Sequence, residues 1–424
     1  MQDLPMSIHE GILREAEEAN RAAPLLTDEG VAEALGRVGA LVRERVSEIA
    51  AASREDVEAA SGRLDEGTLD RLRLDEGRIE ALAAQAEAMA SLPPLERVVR
   101  VWRQPNGLLV QERRIPIGTV GANFEARPNV ALDVAAQLLK SLNTGVLRTG
   151  GAALRTVTCL VDRVLRPALA DAGLPPGAIG LVRTADREGA RVLVSLPERI
   201  SLVILRGSGE TTKDLARLAA ESGVRTLAHA EGGGVLYVHE GAKAERAVAL
   251  AEESLDRLGV CNRLNLALVD RAAVGMLPGL LAVFRERELD VRGTERACRH
   301  ADLMPLDAPV GHEWASDPER VSTVTVDVVD GLEDAVSIAN EQTSGLTAGI
   351  VTEDSAAAEH FLDRYRGTVG LWHATTRFAD GFELTGAPET GINVDWVPGP
   401  RGPVTYRDLW LRQYRVIGDG TQHR

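Results

Sequence analysis

Apolar and polar positions alternate in two rhythms along this chain. From residue 8 to 92 the rhythm is helical. Val31, Ala34, Leu35 and Val38 fall on one face, and the spacing continues through Leu41, Val42, Val46 and Ile49. Another amphipathic helix starts at Arg78-Ile79-Glu80-Ala81-Leu82 and is stopped by Pro93-Pro94. A hairpin follows: Val98 to Trp102 and Leu108 to Gln111 flank Gln104-Pro105-Asn106-Gly107, and Asn-Gly is a strong turn signal. Short apolar strands then alternate with helices. Gly118–Ala122, Thr144–Arg148, Ile179–Arg183 and Leu202–Leu205 read as strands, and Val130–Ser141, a stretch ending at Asp171, and Arg187–Ser195 as helices. The alternation restarts after Glu231-Gly232-Gly233-Gly234. Strands are expected over Val235–Val238, Leu264–Val269, Val324–Val329 and Ala348–Thr352, and helices over Ala244–Leu258, Leu332–Asn340 and Ala356–Arg366. This pattern predicts βαβ units and two parallel-sheet α/β domains. Trp410 to Ile417 alternates like a strand with no sheet of its own nearby, so it pairs either with the hairpin or with another subunit.

Composition narrows the function classes. Apolar residues make up 44% of the 424 positions and aromatic residues only 3%, a core of Ala, Val and Leu that suits helices packed on sheets. The formal charge of −15 argues against nucleic acid or an anionic membrane as partner. Positive charge is almost all arginine, with lysine only at 140, 213 and 243. The first twenty residues lack a long apolar stretch, and no window approaches the ~18 apolar residues of a membrane span, so a cytoplasmic protein is expected. Three widely spaced cysteines give neither a disulfide framework nor a metal-ligand pattern.

Among those cysteines, Cys261 has the setting of a nucleophile. It lies in Leu258-Gly259-Val260-Cys261-Asn262-Arg263, between a helical stretch and an apolar run ending at Val269. A thiol on such a strand-entry loop can attack an activated acyl group and hold it as a thioester. Cys159 falls on an apolar helix face and Cys298 in an Arg-rich segment, and a buried, inert thiol is the commoner state of a lone cysteine.

Several runs, spread in order over nearly the whole chain, carry a resemblance. They include Leu69-Asp70-Arg71-Leu72-Arg73, Gly121-Ala122-Asn123-Phe124-Glu125-Ala126-Arg127-Pro128-Asn129-Val130, Gly259-Val260-Cys261-Asn262, Ile350-Val351-Thr352-Glu353-Asp354, Thr375-Thr376-Arg377-Phe378-Ala379-Asp380-Gly381 and Arg401-Gly402-Pro403. Together they resemble the glutamate-5-semialdehyde dehydrogenase (γ-glutamyl phosphate reductase) family of the aldehyde dehydrogenase superfamily, of which this chain looks like a divergent member. The resemblance implies an aldehyde dehydrogenase-like α/β fold with a small β oligomerisation flap. It places a cofactor-binding domain at 1–96 and 115–232, a catalytic domain with Cys261 at 233–390, and the flap at 97–114 and 391–424. It implies NADPH (or NADH) as cofactor, an acyl phosphate as substrate, a role in proline biosynthesis, and a homodimer or higher oligomer.

The same resemblance assigns residues. Cys261 is the nucleophile. Asn129 is the expected side-chain donor to the developing oxyanion, with Asn123 as its rival, and a helix N-cap is an equally open reading of Asn129. Arg148 stands where the superfamily has a basic residue near the adenosine ribose, followed by Thr149, Gly150 and Gly151, which let the chain pass close to a cofactor. Gly207-Ser208 matches a Gly-Ser pair at a helix start suited to pyrophosphate. Glu231 matches the Glu that activates water in hydrolytic members, a task that a reductase releasing an aldehyde does not need. Glu319 is either the ribose-binding carboxylate or an exposed surface acid. The chain also departs from the family pattern at Ser344-Gly345-Leu346, at His373 and at Trp396-Val397-Pro398-Gly399-Pro400, where polar groups have become apolar or aromatic. Either these positions line the acyl pocket and change its specificity, so that the substrate is another acyl phosphate or a thioester on coenzyme A or a carrier protein, or they lie outside it and drift freely. A non-catalytic scaffold is the reading from a different class.

Overall fold

The computed structural model describes residues 7–64, 66–125, 127–207, 209–229, 231–395 and 399–422. The N-terminal helices form where the apolar spacing placed them, at Ile8–Ala22, Asp28–Glu44, Val46–Ala60, Glu66–Leu72 and Glu76–Ser91. Polar caps start several of them. Ser7 and Glu10 form a reciprocal capping box, and Thr27 and Asp75 each accept a backbone N–H of the first turn.

The hairpin is β1 (Val98–Arg103) and β2 (Leu109–Pro116), closed by the Gly107 N–H donating to the Gln104 carbonyl with Gly107 at a φ of +93°. The first parallel sheet comprises β3 (Thr119–Phe124), β4 (Thr144–Thr149), β5 (Ile179–Leu181), β6 (Leu202–Arg206) and β7 (Arg225–His229) in the order β5-β4-β3-β6-β7. The order reverses between β3 and β6, which opens a crevice beyond their carboxyl ends. The second sheet comprises β8 (Gly234–Val238), β9 (Leu264–Asp270), β10 (Asp290–Gly293), β11 (Met304–Pro305), β12 (Thr323–Val329), β13 (Thr347–Val351) and β14 (Val369–Trp372) in the order β11-β10-β12-β9-β8-β13-β14. Strands β3, β4, β8, β9, β12 and β13 are buried along their whole length and read as mainly apolar runs, interrupted by buried polar residues such as Asn123, Arg148, Asn265 and Asp327. β15 (Gly391–Asn393) and β16 (Gly402–Val404) form a short antiparallel pair, and β17 (Trp410–Ile417) runs antiparallel to β2 along all eight of its residues.

Four regions differ from the sequence expectation. β7 was not expected, because Arg and His bound a short apolar centre at a sheet edge. The helix Leu277–Glu286 and strands β10 and β11 were also missed, since Pro278 and Gly279 in the first turn disguise the helix start. The stretch ending at Asp171 is helical but changes pitch at Leu160–Leu165, a π-turn just ahead of Pro167, which cannot donate to the preceding turn. Finally, residues 391–404 do not join the flap. The β15 residue Ile392 donates its N–H to His229 Nδ1 at the end of β7 (3.3 Å), and Val404, Tyr406 and Leu409 enter the main core beneath the N-terminal helices. Buried Gln137 ties this tail to the helix Val130–Lys140: its Oε1 accepts from the Tyr406 N–H (2.6 Å) and its Nε2 donates to the Pro388 carbonyl (2.6 Å). Only β17 completes the flap.

Candidate active site

Cys261 sits in the loop ahead of β9, half-buried at the amino end of the second sheet. Its carbonyl accepts the Gly233 N–H (2.6 Å), and the Arg263 carbonyl accepts the Gly234 N–H (2.8 Å). Only glycine fits at 232. A Cβ there would stand 2.4 Å from Glu313 Oε1 and 2.5 Å from the Cys261 Cβ. The next residue, Asn262, donates to the Arg377 and Ala379 carbonyls (3.1 Å each) and accepts from the Arg377 guanidinium, which also holds Asp256. The Thr375–Gly381 run is thus a buttress for the cysteine loop. Arg263, fully buried, donates to the carbonyls of Val321 (2.7 Å) and Thr323 and locks the loop to the start of β12.

A cavity of about 590 Å³ opens beside this loop. Helix Glu76–Ser91 lines it with Ala88 and Met89, helix Val130–Lys140 with Asp133, the short helix Gly381–Thr385 with Phe382, and the turn before β15 with Glu389. Arg127 and Arg206 complete its wall. Neither guanidinium has a hydrogen-bond or ion-pair partner among the described residues. Both act on the Cys261 thiol and favour its ionised form, while burial, Glu313 and Glu389 oppose it; the thiol is pushed up to about 12. Burial lowers Arg127 to about 10, with Arg206, Arg71 and Arg257 adding to the effect. Burial raises Asp133 to about 7 against the pull of Arg206, and raises Glu389 as well. His229 is held neutral, at about 3, by burial and by the same two arginines. The pocket therefore joins uncompensated cations to carboxyl groups reluctant to ionise.

Asn129 lines the cavity. It immediately precedes the helix Val130–Lys140 but makes no side-chain cap there; its Nδ2 donates to Asp133 Oδ2 (3.2 Å). Asn123 lies deeper, buried in β3, and its Oδ1 accepts from Arg148 Nη1 (3.1 Å) across the β3–β4 register. Arg148 is 7% exposed at the end of β4, with Nη2 3.4 Å from the Asp186 carbonyl and Nε without a partner. Thr149 Oγ1 beside it is buried and unpartnered, and Gly150 leads into the short turn Gly151–Ala153. Gly207 follows β6 and packs on the Glu125 side chain, where a Cβ would come within 2.9 Å. Ser208 lies outside the described residues, as do Trp396, Val397 and Pro398. Glu231 is half-exposed and paired with Lys213 of the helix Gly209–Ser222. Glu319 is exposed on a loop, with its N–H donating to Asp317 (3.2 Å). The carboxylate brought to Cys261 is instead Glu313, which sequence reasoning missed. The signal available was a Glu-Trp pair in a segment otherwise without periodicity. His373 packs with Arg246 and Glu353 at the end of β14, and Leu346 is buried; neither lines the cavity.

The residues around the β3–β6 crevice suit a dinucleotide. Gly207 follows β6, Thr149 at the end of neighbouring β4 offers an unused hydroxyl, and the fourteen-residue helix Gly209–Ser222 begins just beyond β6.

The aldehyde dehydrogenase family model matches residues 9–270 and 322–399. A γ-glutamyl phosphate reductase of Erythrobacter litoralis is 34% identical over 407 residues, covering 96% of this chain and 95% of that protein. The same enzyme of Methylocella silvestris is 36% identical over 413 residues, covering 96% and 94%. Among solved structures, the γ-glutamyl phosphate reductase of Thermotoga maritima superposes with a TM-score of 0.91 at 27% identity, covering 98% of this chain and all of that one. An acetylating aldehyde dehydrogenase of Geobacillus thermoglucosidasius shares the fold, with a TM-score of 0.71 at 16% identity and full coverage of both chains. The chain belongs to the aldehyde dehydrogenase family, in its γ-glutamyl phosphate reductase branch.

Proposed function

We propose that this protein reduces an acyl phosphate, γ-glutamyl 5-phosphate in the first instance, to the aldehyde through a thioester on Cys261, in proline biosynthesis. The observation that carries this reading is the pair of guanidinium groups, Arg127 and Arg206, that line the cavity without a hydrogen-bond or ion-pair partner among the described residues and act electrostatically on the Cys261 thiol. Charged donors of this kind hold a phosphoryl leaving group and make its departure easier. Sulfur attacks the acyl carbon, the C–O bond to phosphate breaks, and the arginines take up the charge that develops on the phosphate. The Cys261 backbone N–H and Asn129 are our candidates for steadying the oxyanion on the acyl carbon. Asp133 and Glu389, in the same cavity, suit the ammonium group of an amino-acid substrate.

A reduced nicotinamide cofactor supplies hydride when bound. Arg148, Thr149, Gly150, Gly207 and Ser208 are the residues we assign to hold it, with Arg148 favouring NADPH over NADH because Arg187 adds a second positive charge nearby. Cys261 then leaves the carbon as the aldehyde forms. Glu231, held by Lys213, is free of the water-activating task, and Glu319 is our candidate for the ribose. We assign the helical N-terminal part with the first sheet to cofactor binding and the second sheet to catalysis. The flap exposes Val99, Val101, Leu411, Tyr414 and Val416, a surface suited to a second copy of the chain. No helix among the described residues is long and apolar enough to cross a membrane.

The test runs the reaction backwards: glutamate 5-semialdehyde, phosphate and NADP+, with reduced cofactor followed by absorbance. Wild type should turn over, and Cys261→Ala should lose on the order of 10³-fold or more. Turnover of other aldehydes only would reassign the acyl group. Turnover of none would favour a scaffold.

A further inference from the structure

We infer that Glu313 is the base that takes the Cys261 proton as the carbon–sulfur bond forms, an inference that rests on the thioester reading above. Three observations lead there. First, carboxylate and thiol share one small space. The point 2.4 Å from Glu313 Oε1 and 2.5 Å from the Cys261 Cβ is the position that a side chain at 232 would fill, and glycine leaves it open.

Second, Glu313 is positioned by its neighbours on both sides. Asn265, on β9 behind the cysteine loop, donates from Nδ2 to the His312 carbonyl (2.7 Å) and accepts at Oδ1 from the Trp314 N–H (3.0 Å). Trp314 is fully buried, donates from Nε1 to Thr325 Oγ1 (2.9 Å), and is covered by the Arg320 guanidinium. A single carboxamide on the strand that follows Cys261 therefore fixes the residues flanking Glu313. The backbone N–H of Gly232 donates to the Glu313 carboxylate and aligns it further.

Third, the chemistry needs a base and the alternative is occupied. The thiol holds its proton firmly: burial, Glu313 and Glu389 outweigh Arg206 and Arg127. Glu313 itself is pushed above the ordinary carboxylate range by burial and by Glu231, with Arg263 opposing, which makes it a stronger base than a free carboxylate. Glu231 is half-exposed and held by Lys213. As sulfur bonds to the acyl carbon its S–H becomes acidic, so the proton moves to Glu313 in the same step. Phosphate leaves with the electron pair of the broken C–O bond. When the aldehyde is later released, sulfur departs with the C–S pair and regains the proton from Glu313.

The test separates this role from a structural one by two readouts that move in opposite directions. In Glu313→Gln the repelling charge beside sulfur is gone, so alkylation of Cys261 by iodoacetamide at pH 8 should be several-fold faster than in wild type. Its kcat should nonetheless fall by about 100-fold or more, and the fall in kcat on the acid side of the wild-type pH profile should vanish. Glu313→Asp, which keeps the carboxylate, should recover part of kcat, and Glu231→Gln should retain the acid limb. An unchanged kcat and pH profile in Glu313→Gln, or alkylation and kcat falling together, would overturn the inference. Turnover by Cys261→Ala would instead overturn the thioester reading and this inference with it.

Discussion

The two sheets present opposite ends to the site, and each brings different chemistry. The first sheet offers its carboxyl ends. Arg206 closes β6, Arg127 stands in the turn after β3, and neither guanidinium has a hydrogen-bond or ion-pair partner among the described residues. The second sheet offers its amino ends. Cys261 precedes β9, Gly232 precedes β8, and Glu313 is fixed from β9 by Asn265. On the assignments proposed above, nucleophile and base come from one side, and the positive charge suited to an anionic substrate comes from the other. Neither half holds a complete site. The uncompensated charge is a cost in the free protein that an anion would relieve, which is the expected signature of a binding site rather than of a structural ion pair.

That division can be broken from the first-sheet side. The largest effect is expected for Arg206→Ala. With phosphate as co-substrate in the aldehyde-oxidising direction, its KM for phosphate should rise about 100-fold, the loss of a charged hydrogen bond. Cys261 alkylation should slow in the same variant, because Arg206 favours the thiolate. A phosphate KM unchanged from wild type would place the anion elsewhere. Arg148→Ala should act more weakly and only on the cofactor: about a tenfold rise in KM for NADP+ with KM for NAD+ little changed. Equal rises for both would remove Arg148 from the 2′-phosphate.

The smallest effect sharpens the comparison through stability. Burial raises the Asp133 carboxyl from an ordinary 3.8 to about 7. The folded state therefore binds that proton more tightly than the unfolded chain does. The resulting stability is fully present below the lower value and is lost as pH rises through the higher one. Asp133→Asn carries no charge and escapes that loss. Its Tm should exceed wild type by about 1–2 °C at pH 8 and match it at pH 4, read by thermal melts at the two pH values. A gain at pH 4 would mean that the variant acts through packing instead.

Much of this architecture was legible along the chain, and the reasons are local. Strands buried on both faces are rich in apolar residues, so β3, β4, β8, β9, β12 and β13 announced themselves despite buried polar residues such as Asn123, Arg148, Asn265 and Asp327. The hairpin followed from Asn106-Gly107, and β17 from its alternation; of the two pairings that alternation left open, hairpin or another subunit, the structure shows the hairpin strand β2. Cys261 stood out by its loop, and Gly150 and Gly207 by their place at strand ends. The edge strand β7 and the helix behind Pro278 did not, because short polar-ended strands and helix starts containing Gly and Pro look like loops.

What sequence alone determined is therefore the α/β class and most of its elements, and it singled out Cys261 as the candidate nucleophile; all of this depends on residues near one another in the chain. What only the tertiary structure decided is the company that nucleophile keeps. Glu313, Arg127, Arg206 and Glu389 meet at Cys261 from four separate stretches of sequence, and Asn129 turns its amide to Asp133 rather than capping its helix. No periodicity encodes such a meeting. It is set by the packing of two sheets and by buried polar ties such as Asn265 and Gln137, whose hydrogen bonds reach residues 47 to 269 positions away.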